Sequence, residues 1–150
     1  VTTVKFLVEV SDELKELVAA PCQNGKFTIT LPETIDSRWL VEPYAKESQS
    51  TLKVSDRGVR TTAMSGFSSD SGDIAPFSED GTVTGTLFYV DRNVTITGYE
   101  QYKNKAEYNL DLKAGWNWVY ITEKNETTFS TSTAKPNAEL KWYLDAEEEE

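Results

Sequence analysis

The stretch 82–122, TVTGTLFYVDRNVTITGYEQYKNKAEYNLDLKAGWNWVYIT, sets the strongest limit on what this chain can fold into. Apolar and polar residues alternate along it in short runs, broken at DRN, YKNK and KAG. A two-residue period sends successive side chains to opposite faces of a strand, whereas an amphipathic helix needs a 3.6-residue period. The stretch therefore predicts a meander of antiparallel strands over 82–90, 94–100, 106–112 and 116–122. In the third of these, Ala106, Tyr108, Leu110 and Leu112 share one face and Glu107, Asn109 and Asp111 the other, as in a strand with one solvated side. Gly115 lets the KAG turn take a positive φ before Trp116.

Other segments extend the same pattern. VTTVKFLVEV (1–10) is β-branched and apolar enough for a strand with a buried face. SDELKELVAA admits two readings: a short helix capped by Ser11 or Asp12 with Leu14, Leu17 and Val18 on one face, or a turn followed by a strand. Asn24-Gly25 decides for a strand over about 16–23, because this pair is the preferred centre of a two-residue type I′ hairpin. In KFTITLP, Phe27, Ile29 and Leu31 alternate with Thr28 and Thr30 until Pro32 ends the run. Residues 33–50 break the alternation and read as a long crossover. A helical turn near 36–41 carries a buried Trp39 there and stops before Pro43. TLKVSD and VRTTAMSGF read as strands on either side of Asp56-Arg57-Gly58. SSDSGDIAPFSEDG (68–81) reads as an exposed loop. TTFSTST (127–133) reads as an edge strand, and AELKWYL closes the fold with Leu140, Trp142 and Leu144 inward. The terminal EEEE is a solvated tail.

Short strands with turn signals every 8–12 residues are the pattern of a sandwich or barrel. The expected fold is all-β: a two-sheet antiparallel β-sandwich, with a barrel-like alternative and one short helical turn. With 150 residues, a single domain over 1–150 can bury a sufficient core without disulfides. Possible sub-halves are 1–67 and 82–146, joined by the loop 68–81.

Composition limits function more than it suggests one. The net charge of −10 repels phosphate backbones, so nucleic acid is excluded as a partner. No histidine is present, which removes the commonest general base, triad member and metal ligand. Cys22 is the only cysteine; it reads as a small, half-buried strand residue, with no disulfide and no Cys-based zinc site. No apolar run reaches the roughly 18 residues of a spanning helix. Ser65-Gly66 lacks the rest of a nucleophile elbow. No helix follows Gly81 and Gly85 to hold a phosphate. Asn93-Val-Thr95 and Asn125-Glu-Thr127 match the glycosylation sequon and read as accidents of Thr-rich turns. The expectation is a protein that is not an enzyme and uses no cofactor.

YVDRNVTITG, then YNLDLKAGWNWVYIT, then a terminal LKWYL resemble small secreted proteins and lipoproteins of gut Bacteroidetes. NGKFTITLPE resembles their N-terminal hairpin. The shared positions (Asn24, Gly25, Gly98, Gly115 and Trp116) belong to turns and core. The resemblance brings no activity with it. It implies export to the periplasm, the outer cell surface or the medium, with an acylated cysteine of a precursor upstream of Val1.

Two groups of residues are candidate sites. Trp116, Trp118 and Tyr120 fall at i, i+2 and i+4 and project from one face of one strand. Flat rings stack on the apolar faces of sugars, and neighbouring Asn117 and Glu123 offer hydroxyl partners. The competing reading is core, since Val119 and Ile121 make the opposite face apolar too. The second group is acidic: Asp70, Asp73, Glu79 and Asp80 offer hard oxygens to Ca²⁺, although their spacing departs from the EF-hand loop. The resulting expectation is a non-catalytic secreted or cell-surface binding module for a glycan or another cell-surface protein. Two other readings are a structural component that adds strands at the 127–133 edge and a carboxylate-dependent glycoside hydrolase. The hydrolase has only the abundance of acidic residues behind it.

Overall fold

A computed structural model describes residues 2–10, 13–41, 52–56, 58–62, 65–101 and 104–144. The described chain is almost entirely β. Ten of its strands follow one hydrogen-bonded path: β2 (Glu13–Pro21), β1 (Thr3–Val10), β6 (Ser65–Ser69), β7 (Gly72–Ser78), β8 (Val83–Val90), β11 (Gly115–Asn125), β12 (Thr128–Ser132), β10 (Lys105–Leu112), β9 (Val94–Gln101) and β4 (Leu52–Val54). The two ends of this path do not pair with each other; β13 (Leu140–Leu144) branches from β7, and β5 (Thr61–Thr62), paired with β3 (Leu40–Val41), branches from β8. The architecture is therefore sandwich-like and open rather than a barrel.

β1 (Thr3–Val10) and β2 (Glu13–Pro21) pair antiparallel, which settles the ambiguity of SDELKELVAA in favour of strand from Glu13 onward. Leu17 has no opposite number in that ladder, so β2 carries a bulge there. Asn24 and Gly25 take φ of 55° and 74°, as a type I′ turn requires. The hairpin they begin closes only once, between Gln23 and Lys26. Residues 27–31 keep their alternation: Phe27, Ile29 and Leu31 pack over a core while Thr28 and Thr30 are exposed. They join no ladder among the described residues, so the expected second strand is an extended strap. A side-chain period reports which face is buried, and it says nothing about a hydrogen-bonding neighbour.

The helical turn is a single 3-10 turn at Ser37–Trp39, where Asp36 Oδ1 accepts from Arg38 N at 2.9 Å. Trp39 is half-buried rather than sealed. Residues 42–51, which include the end of the expected crossover, lie outside the described residues, as do the terminal glutamates. β3 (Leu40–Val41), β4 (Leu52–Val54) and β5 (Thr61–Thr62) are short.

The stretch 68–81 is a correction. It forms most of a hairpin between β6 (Ser65–Ser69) and β7 (Gly72–Ser78), with Ile74, Pro76 and Ser78 buried. Its Ser, Gly and Asp residues gather at the two turns. Asp70 accepts from Thr2 N, Thr2 Oγ1 and Thr3 N, tying the start of the chain to the hairpin tip. Asp80 accepts from Ser78 Oγ, Thr82 N and Thr82 Oγ1 in the turn after β7.

The strands of 82–122 form where expected, as β8 (Val83–Val90), β9 (Val94–Gln101), β10 (Lys105–Leu112) and β11 (Gly115–Asn125). Their pairing is not a meander. β9 and β10 form a hairpin, while β11 passes them and pairs with β8 over Gly115–Thr122. β12 (Thr128–Ser132) lies between β11 and β10, antiparallel to the first and parallel to the second. The Thr/Ser-rich run 127–133 is thus interior to the sheet and offers no edge. Its hydroxyl side chains misled because they satisfy a middle strand as well as an exposed one.

β8 and β11 divide two cores. Phe88, Val90 and Val119 face a cluster with Leu52, Val59, Val94, Ile96, Leu110 and Leu112. Leu87 and Trp116 face the other, built on Val4, Phe6, Val8, Phe67 and Ile74.

Phe6 is fully buried and meets Phe67 and Trp116 edge-on. Phe6→Ala is expected to lose about 3–5 kcal/mol of stability in a denaturant titration, the range for emptying a buried aromatic site. The turns generate a prediction in acid. Hydrogen bonds from Thr2 and Thr3, and from Ser78 and Thr82, lower Asp70 and Asp80 from 3.8 to about 2. A carboxylate depressed in the folded state stabilises above its unfolded pKa and loses that contribution as pH falls through the folded one. The melting temperature should therefore drop between about pH 4 and pH 2. An Asp70→Asn, Asp80→Asn double variant should show a shallower drop.

A candidate ligand-binding face

β11 holds Trp116, Trp118 and Tyr120 on the face it shares with Tyr89, Leu87 and Gly85 of β8, their direct cross-strand partners. The three differ in exposure: Trp118 is exposed, whereas Trp116 and Tyr120 are half-buried. Trp116 belongs to the core: its ring meets Phe6 at 5.4 Å and Tyr89 at 5.3 Å, both edge-on. Its indole Nε1 donates to the Pro32 carbonyl at 2.8 Å, which pins the end of the 27–31 strap. With its donor committed and its ring only half-exposed, Trp116 offers a ligand little, so the candidate platform begins at the exposed Trp118.

Trp118 is 39% exposed. Its plane lies within 14° of Phe67 at 6.3 Å and within 16° of Tyr120 at 6.4 Å. Gly85 makes this arrangement possible. A Cβ there would come within 3.3 Å of Tyr120 Cδ1 and 3.4 Å of Trp118 Cε3, so the missing side chain is the space the two rings occupy. β13 (Leu140–Leu144) adds Trp142, 40% exposed, which touches Trp118 at 6.5 Å, Phe67 at 4.8 Å and Phe27 at 5.0 Å. Trp142 and Leu144 were expected inward. β13 pairs only with β7, at the margin of the sheet, where no second layer covers it fully.

Between Trp118 and Tyr120 on one side and residues 135–140 on the other lies a cleft of about 470 Å³. That is within the size range of small-ligand sites. Lys135, Asn137 and Glu139 supply its polar wall. Their side chains make no hydrogen bond or ion pair within the described structure, so their donors and acceptors remain available.

Asn117 is a correction. It sits on the opposite face of β11, and its amide is committed to the KAG turn. Oδ1 accepts from Lys113 N at 3.0 Å, and Nδ2 donates to Lys113 O at 2.9 Å and to Gly115 O. Glu123 is exposed on that opposite face too.

The acidic group is dispersed. Asp70 and Asp73 lie at the β6–β7 end of β7, and Glu79 and Asp80 follow its other end. Among the described residues, no three His, Cys, Asp or Glu side chains converge as metal ligands would. Both oxygens of Asp70 and Oδ1 of Asp80 already accept from backbone amides and hydroxyls.

The residues that sequence reasoning missed are Gly85, Trp142 and the 135–140 wall. The Gly85 signal was present: a glycine inside a strand marks a close approach. The other two are brought in by the distant β13–β7 pairing. Comparison with known proteins finds no matching family model, no matching curated protein and no matching solved structure.

The difference in exposure predicts a split between neighbouring tryptophans. Trp116→Ala should cost about 3–5 kcal/mol in a denaturant titration. Trp118→Ala should cost clearly less, because its ring is 39% exposed and less apolar surface is lost from burial. Equal losses would place Trp118 in the core as well.

Proposed function

We propose that this protein is a non-catalytic binding module, acting outside the cytoplasm, that takes a carbohydrate on Trp118 and Tyr120. The observation that carries the reading is the pair of near-parallel rings beside a cleft walled by Lys135, Asn137 and Glu139. A pyranose has an apolar face of C–H groups and a rim of hydroxyls. Aromatic rings recover the burial of the first, and unengaged amide, ammonium and carboxylate groups bond the second. Both requirements meet here on one surface, and Gly85 holds the rings in place without competing for the cleft. The net charge of −10 suits a neutral or cationic ligand better than a polyanion.

A glycan-array screen with purified protein, run beside Trp118→Ala, tests the proposal. Specific binding is expected, weakened at least about tenfold in the variant, which is about 1.4 kcal/mol. The same variant should keep a melting temperature close to that of the parent. Absence of binding to any glycan, or binding that Trp118→Ala leaves unchanged, would sink the carbohydrate reading.

A further inference from the structure

Three of the strands that end or branch from the hydrogen-bonded path treat their free edges differently; the remaining branch is the pair of two-residue strands β3 and β5. β2 interrupts its edge with the Leu17 bulge and carries Lys15 and a closing Pro21. β4 has only three residues, Leu52–Val54. Bulges, charges, proline and shortness are the usual means of keeping an edge from pairing with another chain. β13 has five residues in unbroken register with β7 and no bulge or proline. Among the described residues it hydrogen-bonds β7 alone, leaving the other row of its N–H and C=O groups without a backbone partner. It also carries three consecutive exposed apolar residues: Trp142, Tyr143 at 43% and Leu144 at 53%. No other described strand concentrates exposed apolar side chains in this way.

We infer that β13 is a strand-addition site and that its partner is the β13 of a second copy, paired antiparallel about a two-fold axis through Trp142. The side chains of LKWYL decide the partner. In that register Leu140 faces Leu144 of the other copy, Trp142 faces Trp142, and Lys141 faces Tyr143. Directly opposed residues share a face and interact, so the pairs are aliphatic, aromatic and cation–π. Lys141 is the only charged residue in the strand, and the two-fold places it over a ring rather than over its own copy. The chain's net charge of −10 opposes close approach of two copies, and β13 itself adds a lysine and no carboxylate to that approach, with Glu139 and Asp145 just outside it in the sequence. Isologous pairing of this kind closes at two chains and builds no fibre. It joins the two β7–β13 pairs into one continuous ladder. The inference does not depend on the carbohydrate reading.

Sedimentation velocity on the full chain from about 1 μM to about 1 mM tests it. A monomer–dimer equilibrium is expected. Tyr143→Lys sets lysine against Lys141 across the axis and should raise the dimer Kd at least about tenfold. The double variant Lys141→Glu, Tyr143→Lys should restore dimerisation by pairing opposite charges. Cross-linking reads the register in a Cys22→Ser background. Trp142→Cys should oxidise to a dimer with itself, because opposed Cα atoms in an antiparallel pair lie within disulfide range. Lys141→Cys and Tyr143→Cys should cross-link with each other in a mixture, in preference to either with itself. A chain that stays monomeric throughout the range overturns the inference. So does a dimer indifferent to Tyr143→Lys, or one in which Lys141→Cys links preferentially to itself.

Discussion

The antiparallel ladder between β8 and β11 is the contact on which the rest of this structure depends. Eight residues of one strand meet eight of the other, from Gly115 opposite Val90 to Thr122 opposite Val83. Both faces of the pair are apolar, and each face roofs a different core. Without the ladder, Val90 and Val119 have no cluster to close over β9 and β10. Leu87 and Trp116 likewise no longer complete the cluster over β1 and β6. The pairing is non-local, because β11 must return past the whole β9–β10 hairpin to reach β8. Closing that loop costs entropy before any burial offsets it. The two-faced hydrophobicity of the ladder is what makes the return favourable.

The candidate face follows from the same ladder. A row of three aromatic residues on β11 points toward the core that β1, β6 and β7 cover, but that cover ends before the row does. Trp116 lies under it and is held by Phe6, Tyr89 and the Pro32 carbonyl. Trp118 lies at its margin and is exposed, and Tyr120, half-buried, stands with it over the vacancy of Gly85. A binding surface built this way is rigid, since its rings stand on a strand paired on both sides. The 135–140 wall and the exposed face of β13 then complete a surface that no single segment contains.

Much of the fold was legible in the residues. Alternation located β1, β8, β9, β10 and β11 to within a few positions, and Asn24-Gly25 named its own turn type. The same alternation misassigned neighbours: it suggested a meander, where β11 skips to β8, and a hairpin strand at 27–31, where the segment is a strap. It also hid the β6–β7 hairpin, whose Ser, Gly and Asp residues outweighed the buried Ile74, Pro76 and Ser78. At the site, the row Trp116–Trp118–Tyr120 was legible and its division into core and surface was not. Burial depends on where the opposite layer stops.

What the sequence determined by itself is the set of strands, the face each presents and the geometry of the turns. These follow from backbone sterics and a two-residue period, which act over a handful of neighbouring positions. The partner of each strand was decided only by the tertiary structure, and with it the exposure of Trp118 and Trp142 and the parting of Asp70 from Asp80. Hydrogen bonds between strands are the same for every pair of residues, so the sequence carries no local mark of the partner. The choice falls to the packing of side chains far apart in the chain, here the two cores that close on either side of β8 and β11.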